Sequence, residues 1–272
     1  MQTNSGGVIV ILKLFLMNKR GIIRKFLEPY ISYKINKTDN SLHKAGVLIK
    51  RKFFSKSEIK SLFPNFEFPD GIAKKKSFLK NLFERYSKFS NSNKIDVRAK
   101  EEKHEIDYGL IDIRDPNELE EDDPLTLKIN KVLKRIEKYI PESYSFKHYN
   151  VYLYSDCFTP RCLHIDSLKA KHLKAFIYLT NSTLKDGVYS YVPGSHRNKL
   201  INLFQFLLNN IKGSDLGRSL NDGTFYSINN CRKFSAEIGD MLISDQRGIH
   251  GDLPCTSSGS GKIVLVVNFM TR

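Results

Sequence analysis

Tryptophan is absent from the 272 residues, and with 13 Tyr and 18 Phe supplying large apolar side chains that absence excludes nothing. Cysteine is scarce. Cys157, Cys162, Cys231 and Cys255 are too few to staple a chain of this length, which excludes a disulfide scaffold and makes reduced thiols in a cytoplasm the expectation. Cys157-x4-Cys162 stands beside His164, but no second Cys/His pair completes four ligands at finger-like spacing, so structural zinc is not expected. A long apolar run is also missing. Val8 to Met17 is roughly half the ~20 residues a membrane helix needs and contains Lys13, so no membrane span is expected. It lacks a basic leader and a small-residue cleavage site, and Met17-Asn18-Lys19-Arg20 reads like a natural start. No internal repeat is visible.

What the chain has in excess is positive charge, +15 formally. The excess is mostly Lys and is scattered through the first 100 residues (Lys50-Arg51-Lys52, Lys74-Lys75-Lys76) rather than gathered into an arginine stripe. Nucleic acid is therefore not the expected partner, and an anionic small molecule is the most that charge suggests. Apolar content of 40% and aromatic content of 11% place the chain among folded proteins rather than disordered ones.

Residues 1–41 are irregular, and 42–272 read as one domain with helical support over about 45–140. Ala45 to Ile49 predicts a strand, and Ser55 an N-cap for a helix carrying Ile59, Leu62 and Phe63. Ile72 to Phe89 has the three- and four-residue spacing of an amphipathic helix. Residues 90–124 read as polar loop with one apolar island, Tyr108 to Ile113. The acidic run ending Asp122-Asp123-Pro124 reads as the start of a helix that Pro141 stops. Beyond it come short β-branched or aromatic runs: Phe146 to Tyr154, Leu173 to Leu179, Val188 to Val192, Met241 to Ser244 and Ile263 to Phe269. A buried helix, Leu200 to Ile211, interrupts them. Helices first and strands second predict a mainly β, α+β fold: a helical layer packed on an antiparallel barrel or jelly roll.

Chemistry concentrates in the second half. His164-Ile165-Asp166 puts an imidazole and a carboxylate two apart, on one face of an extended segment, where both reach one metal ion. Alone the tripeptide is weak evidence. His250, flanked by Gly248 and Gly251 at the end of the run from Gly239, supplies a third ligand from another strand. Two His and one carboxylate on one face of an ion leave three positions open, the arrangement of non-haem Fe(II) oxygenases. Lys262 opens the last strand, and a half-buried ammonium there needs an anionic partner; the distal carboxylate of 2-oxoglutarate would be one.

The run Asp186-Gly187-Val188-Tyr189-Ser190-Tyr191-Val192-Pro193-Gly194-Ser195-His196-Arg197 resembles the phytanoyl-CoA dioxygenase (PhyH-like) family, in which a P-G-S-H-[RK] loop follows the H-x-D strand. The resemblance spans roughly residues 42 to 270 and implies a double-stranded β-helix (cupin-like jelly roll) packed against N-terminal helices. It implies an Fe(II)- and 2-oxoglutarate-dependent dioxygenase that uses O2 to hydroxylate a small-molecule substrate. It further implies His164, Asp166 and His250 as metal ligands and catalytic centre, with Lys262 as the anchor for 2-oxoglutarate. The family usually presents Arg there, whose planar fork suits a carboxylate better than a point charge does, and Arg247 is the alternative anchor. Tyr152 and Tyr154 could offer hydroxyls to the co-substrate; two apart on one strand, both point inward or neither does. His196 is expected to stabilise its turn. Halogenases of this fold replace the carboxylate with Gly or Ala, so Asp166 favours hydroxylation. Two rival readings stand beside this one: a nucleic-acid-directed oxygenase with the same ligands, and a non-catalytic β-barrel binding module.

Overall fold

The structure, a computed structural model, describes residues 40–88, 95–98, 108–128, 132–160, 163–166, 171–197 and 231–271. The expected segments Val8 to Met17 and Leu200 to Ile211 lie outside them.

The chain enters through α1 (Leu42–Ala45), which Gly46 ends in the left-handed conformation (φ 78°), and β1 (Val47–Lys50). Next comes α2 (Lys56–Leu62), whose N-cap Ser55 makes the reciprocal capping box with Glu58. The amphipathic α3 (Ile72–Ser87) buries Leu79, Leu82 and Tyr86, so the periodicity marked the buried face.

Two expectations fail in the next stretch. Residues 90–124 contain two strands, β2 (Ile95–Arg98) and β3 (Tyr108–Arg114), paired as a hairpin. The helix expected from Asp122 shrinks to α4 (Val132–Glu137). Asp123 does not cap a helix. Its Oδ1 accepts the Leu125 N–H (2.8 Å) and the Tyr86 hydroxyl (2.5 Å), and Arg85 reaches its Oδ2 (3.2 Å). That tie fixes Leu125 in a buried turn against α3, where tertiary contacts override helix-start chemistry.

The remaining strands are β4 (Tyr144–Thr159), β5 (His172–Tyr178), β6 (Tyr189–Tyr191), β7 (Arg232–Phe234), β8 (Met241–Asp245), β9 (His250–Asp252) and β10 (Gly261–Thr271). They form a seven-stranded sheet, β1-β8-β5-β10-β4-β3-β2, and a three-stranded sheet, β7-β6-β9. Every pairing is antiparallel. Mostly antiparallel sheet with few helices is consistent with the expected jelly roll.

Alternation along the large sheet sorts its two faces. Ile111, Leu153, Ala175, Ile177, Ile243, Ile263 and Leu265 turn towards the helices and join Ile59, Phe63, Leu79 and Ile136 in one core. Phe176, Tyr178, Leu242, Val264 and Val266 turn the other way and meet Tyr189, Tyr191 and Phe234 of the small sheet in a second core. With register Val264↔Tyr152 on one side and Val264↔Tyr178 on the other, β10 is the axis of the large sheet. A slip by one residue would exchange the two faces, so burial on both sides pins this register. Between the sheets, at one end of the second core, a cleft opens.

Candidate metal centre

His250 comes from β9, and His164 pairs with it as an isolated antiparallel bridge: His164 N donates to His250 O (2.7 Å) and His250 N to His164 O (3.0 Å). The Asp166 N–H donates to the Gln246 carbonyl (3.3 Å), tying the third residue to the end of β8. Thus backbone bonds, rather than a continuous strand, aim the H-x-D pair. The three side chains converge: one ligand atom from each lies within 4.8 Å of the others. His164 Nε2 is 3.2 Å from Asp166 Oδ1, His250 Nε2 is 3.8 Å from Asp166 Oδ2, and the imidazole centroids are 4.5 Å apart. Donors bound at ~2.1 Å to one ion stand about 3 Å apart, so little movement is needed.

The surroundings fit a divalent cation. His250 Nδ1 donates to the Gly248 carbonyl (2.9 Å), which leaves the Nε2 lone pair facing the other two ligands. Burial, then the neighbouring His164, push the His250 pKa down to about 3, so the ring is neutral as a ligand must be. Burial works to raise the Asp166 carboxyl, but the Lys174 ammonium and the two imidazoles outweigh it and hold the group well below the usual carboxylate range. Lys174 Nζ donates to Asp166 Oδ2 at 2.8 Å. Gln246 also lines the cleft, and its buried Oε1 has no hydrogen-bond partner among the described residues, an arrangement that costs about 1–3 kcal/mol.

The P-G-S-H-R loop supplies rigidity one layer back. Ser195 Oγ accepts the Ile249 N–H (2.7 Å) and donates to Val192 O (2.7 Å), and the Tyr191 hydroxyl donates to Asp245 O (2.9 Å). These bonds clamp the turn 245–250 that delivers the distal His. Gly248 has no room for more: a Cβ there would sit 1.8 Å from the Tyr191 hydroxyl oxygen and 2.9 Å from Ser195 Oγ. Tyr191 and Tyr189 also stack on the His250 ring at 6.5 and 5.9 Å. His196 does not line the cleft; its Nε2 approaches His43 O (3.1 Å) and ties the loop to α1.

The other predicted residues separate. Tyr152 and Tyr154 both point inward and line the cleft, which has a volume of about 140 Å³. Lys262 is buried beside it with its ammonium already engaged, 2.6 Å from Asp252 Oδ1 and 2.5 Å from Gly187 O. Arg247 forks onto Asp245 (Nε to Oδ1 2.9 Å) and does not wall the cleft. Lys174, Asp112, Asp252 and Gln246 also line it, and the sequence reading passed them over. Position could have found two of these. Lys174 shares the inward face of β5 with Phe176 and Tyr178, and Asp252 lies two residues after His250 on the same face.

No family model and no curated protein matches the chain. Solved structures do. EvdMO1 superposes with TM-score 0.52 at 15% identity over 85% of this chain and 48% of its own. The chain thus spans about half of that protein's length. SnoK, a non-haem α-ketoglutarate-dependent carbocyclase from nogalamycin biosynthesis, gives 0.51 at 15% identity over 89% of this chain and 86% of its own. EvdO2 from Micromonospora carbonacea var. aurantiaca, complexed with 2-oxoglutarate, gives 0.50 at 16% identity over 88% and 92%. The chain shares their fold. At such identity the likeness reaches no further than the backbone. Among the described residues no helix is long and apolar enough to cross a membrane.

Proposed function

We propose that this chain is an Fe(II)- and 2-oxoglutarate-dependent dioxygenase that oxidises, by hydroxylation or a related step, a small molecule bound in the cleft. The observation that carries the reading is the convergence of His164, Asp166 and His250 at the wall of an inter-sheet cleft, with the neutral tautomer of His250 set by Gly248. In this reading those three side chains hold the iron, which when bound supplies O2 activation coupled to oxidative decarboxylation of 2-oxoglutarate. The protein's part is placement. Lys174 holds Asp166 Oδ2, leaving Oδ1 for the metal, and Tyr152, Tyr154, Phe176 and Tyr189 wall the space where substrate must sit. Lys262 is the proposed partner of the co-substrate's remote carboxylate, reached only in competition with Asp252, which already accepts from it at 2.6 Å.

The lining does not favour an anionic substrate. Asp112, Asp166 and Asp252 face the cleft, and Lys174 is the one Lys or Arg among the described residues that line it. An uncharged, hydroxyl-bearing substrate fits such a wall better than a phosphate or a nucleic acid. The test is anaerobic loading with Fe(II) followed by measurement of bound iron and of succinate released from 2-oxoglutarate with O2 and ascorbate. One iron per chain and succinate release are expected, with both lost in His250→Ala. A folded protein that binds no iron and releases no succinate would sink the oxygenase reading and leave a binding module.

A further inference from the structure

Lys262 is the residue a co-substrate carboxylate would need, yet its charge is already matched from within the protein. Its ammonium donates to Asp252 Oδ1 at 2.6 Å and to Gly187 O at 2.5 Å, and it lies 4.6 Å from the centroid of the Tyr154 ring. The Lys262 side chain is only 3% exposed, against 17% for Asp252. Asp252 and Tyr154 line the cleft and Lys262 does not, so the cation sits behind its own counter-ion. The backbone locks this order. Asp252 is held opposite Tyr189 in the small sheet, and Lys262 opposite Tyr154 in the large one, so the pair bridges the two sheets. In addition, Asp252 lies two residues from His250 on β9, so its carboxylate projects to the metal's side of the sheet.

From this arrangement we infer that Asp252 is a specificity-determining residue that competes with the remote carboxylate of a 2-oxo dicarboxylic acid for Lys262. This rests on the proposed function, because it concerns the co-substrate of the same centre. A second carboxylate brought to Lys262 meets the Asp252 charge a few ångströms away, and like charges in a site shielded from water repel strongly. The remote carboxylate therefore adds little affinity in the native protein. Most of the binding would then come from the 2-oxo acid end held at the His164, Asp166 and His250 centre, an end common to 2-oxoglutarate and to a monocarboxylic 2-oxo acid. Replacing Asp252 by its neutral isostere frees the ammonium while preserving shape.

Anaerobic titrations of the Fe(II)-loaded protein with 2-oxoglutarate and with pyruvate, read by calorimetry and by the visible charge-transfer absorption of the chelate, test the proposal. The native protein is expected to bind the two acids within about threefold of each other. Asp252→Asn is expected to bind 2-oxoglutarate at least tenfold more tightly with pyruvate unchanged, and the added change Lys262→Met is expected to abolish the gain. If Asp252→Asn misfolds by circular dichroism, Asp252→Ser takes its place, with the same expectations. A native protein that already prefers 2-oxoglutarate by more than tenfold, or a neutral variant that binds it no more tightly, overturns the competition while leaving the oxygenase reading intact. Failure of the iron-loaded protein to bind either acid overturns both.

Discussion

The two faces of the large sheet are built from the same strands and do different work. Towards the helices, β5, β8 and β10 present Ala175, Ile177, Ile243, Ile263 and Leu265, aliphatic and sealed from water. Towards the small sheet the same strands present Lys174, Phe176, Tyr178, Ser244, Lys262 and Val264, in which charges and hydroxyls alternate with rings. A sheet buried on both sides would be most stable with aliphatics on both. Polar groups on the inner face are tolerated because each has a partner across the strands: Lys262 with Asp252, Lys174 with Asp166, Asn268 with Asn150. Asn150 in turn donates to Asp112, and His172 meets Asn268, so the chain of contacts crosses β3, β4, β10 and β5. One face stabilises the fold; the other gives up part of that stability to the polar groups that line the cleft.

If the division holds, a substitution on either face should move one property and spare the other. The largest effect expected is on the helix side. Leu265→Ala removes a fully buried side chain, and about 2–5 kcal/mol of unfolding free energy should be lost in a denaturant titration while iron affinity of the folded protein stays native. A parallel loss of metal binding would show that the two faces are not separable. Next is the clamp behind the inner face. Gly248→Ala drives a methyl into the Tyr191 hydroxyl and shifts the carbonyl that sets the His250 tautomer, so iron affinity should fall by about 10–100-fold with a much smaller change in melting temperature. The smallest effect is a pH dependence. Burial first, then Lys174, depress the His172 pKa from 6.5 to about 4. Between those values the unfolded chain binds the proton and the folded one does not, so stability is complete above pH 6.5 and declines as pH falls towards 4. The His172 share of the decline should be on the order of 2 kcal/mol, since the ring is partly solvated, and His172→Gln should make the slope shallower in melting curves recorded from pH 7 to pH 4.5, with His250 and His196, also depressed, supplying the rest.

Much of the site could be read along the chain because its signals are local. His164, Asp166 and His250 are residue types with ligand chemistry at telling spacings, and the P-G-S-H-R loop is contiguous. The strands of the second half were legible for the same reason: β10 and β5 are runs of β-branched and aromatic residues bounded by turn formers. Less legible was β2–β3: the apolar island Tyr108 to Ile113 is short and set in polar sequence, and only pairing with β4 makes it a strand on which β2 can extend the sheet. Asp123 misled because its partner Tyr86 lies 37 residues away in sequence. Both expected anchors are claimed by carboxylates: Arg247 by Asp245, 2 residues away and visible in the chain, and Lys262 by Asp252, 10 residues away on another strand, where only the fold pairs them.

Periodicity, caps and ligand types are properties of neighbours along the backbone, so the alternating faces, the capped α2 and the identity of the candidate metal ligands follow from composition and order. Which charges meet is another matter. Lys174 and Asp166 are 8 residues apart and Lys262 and Asp252 are 10, yet neither spacing dictates the pairing, because electrostatic energy depends on distance and burial rather than on position in the chain. For that reason folding, and nothing short of it, sets the charge of the cleft.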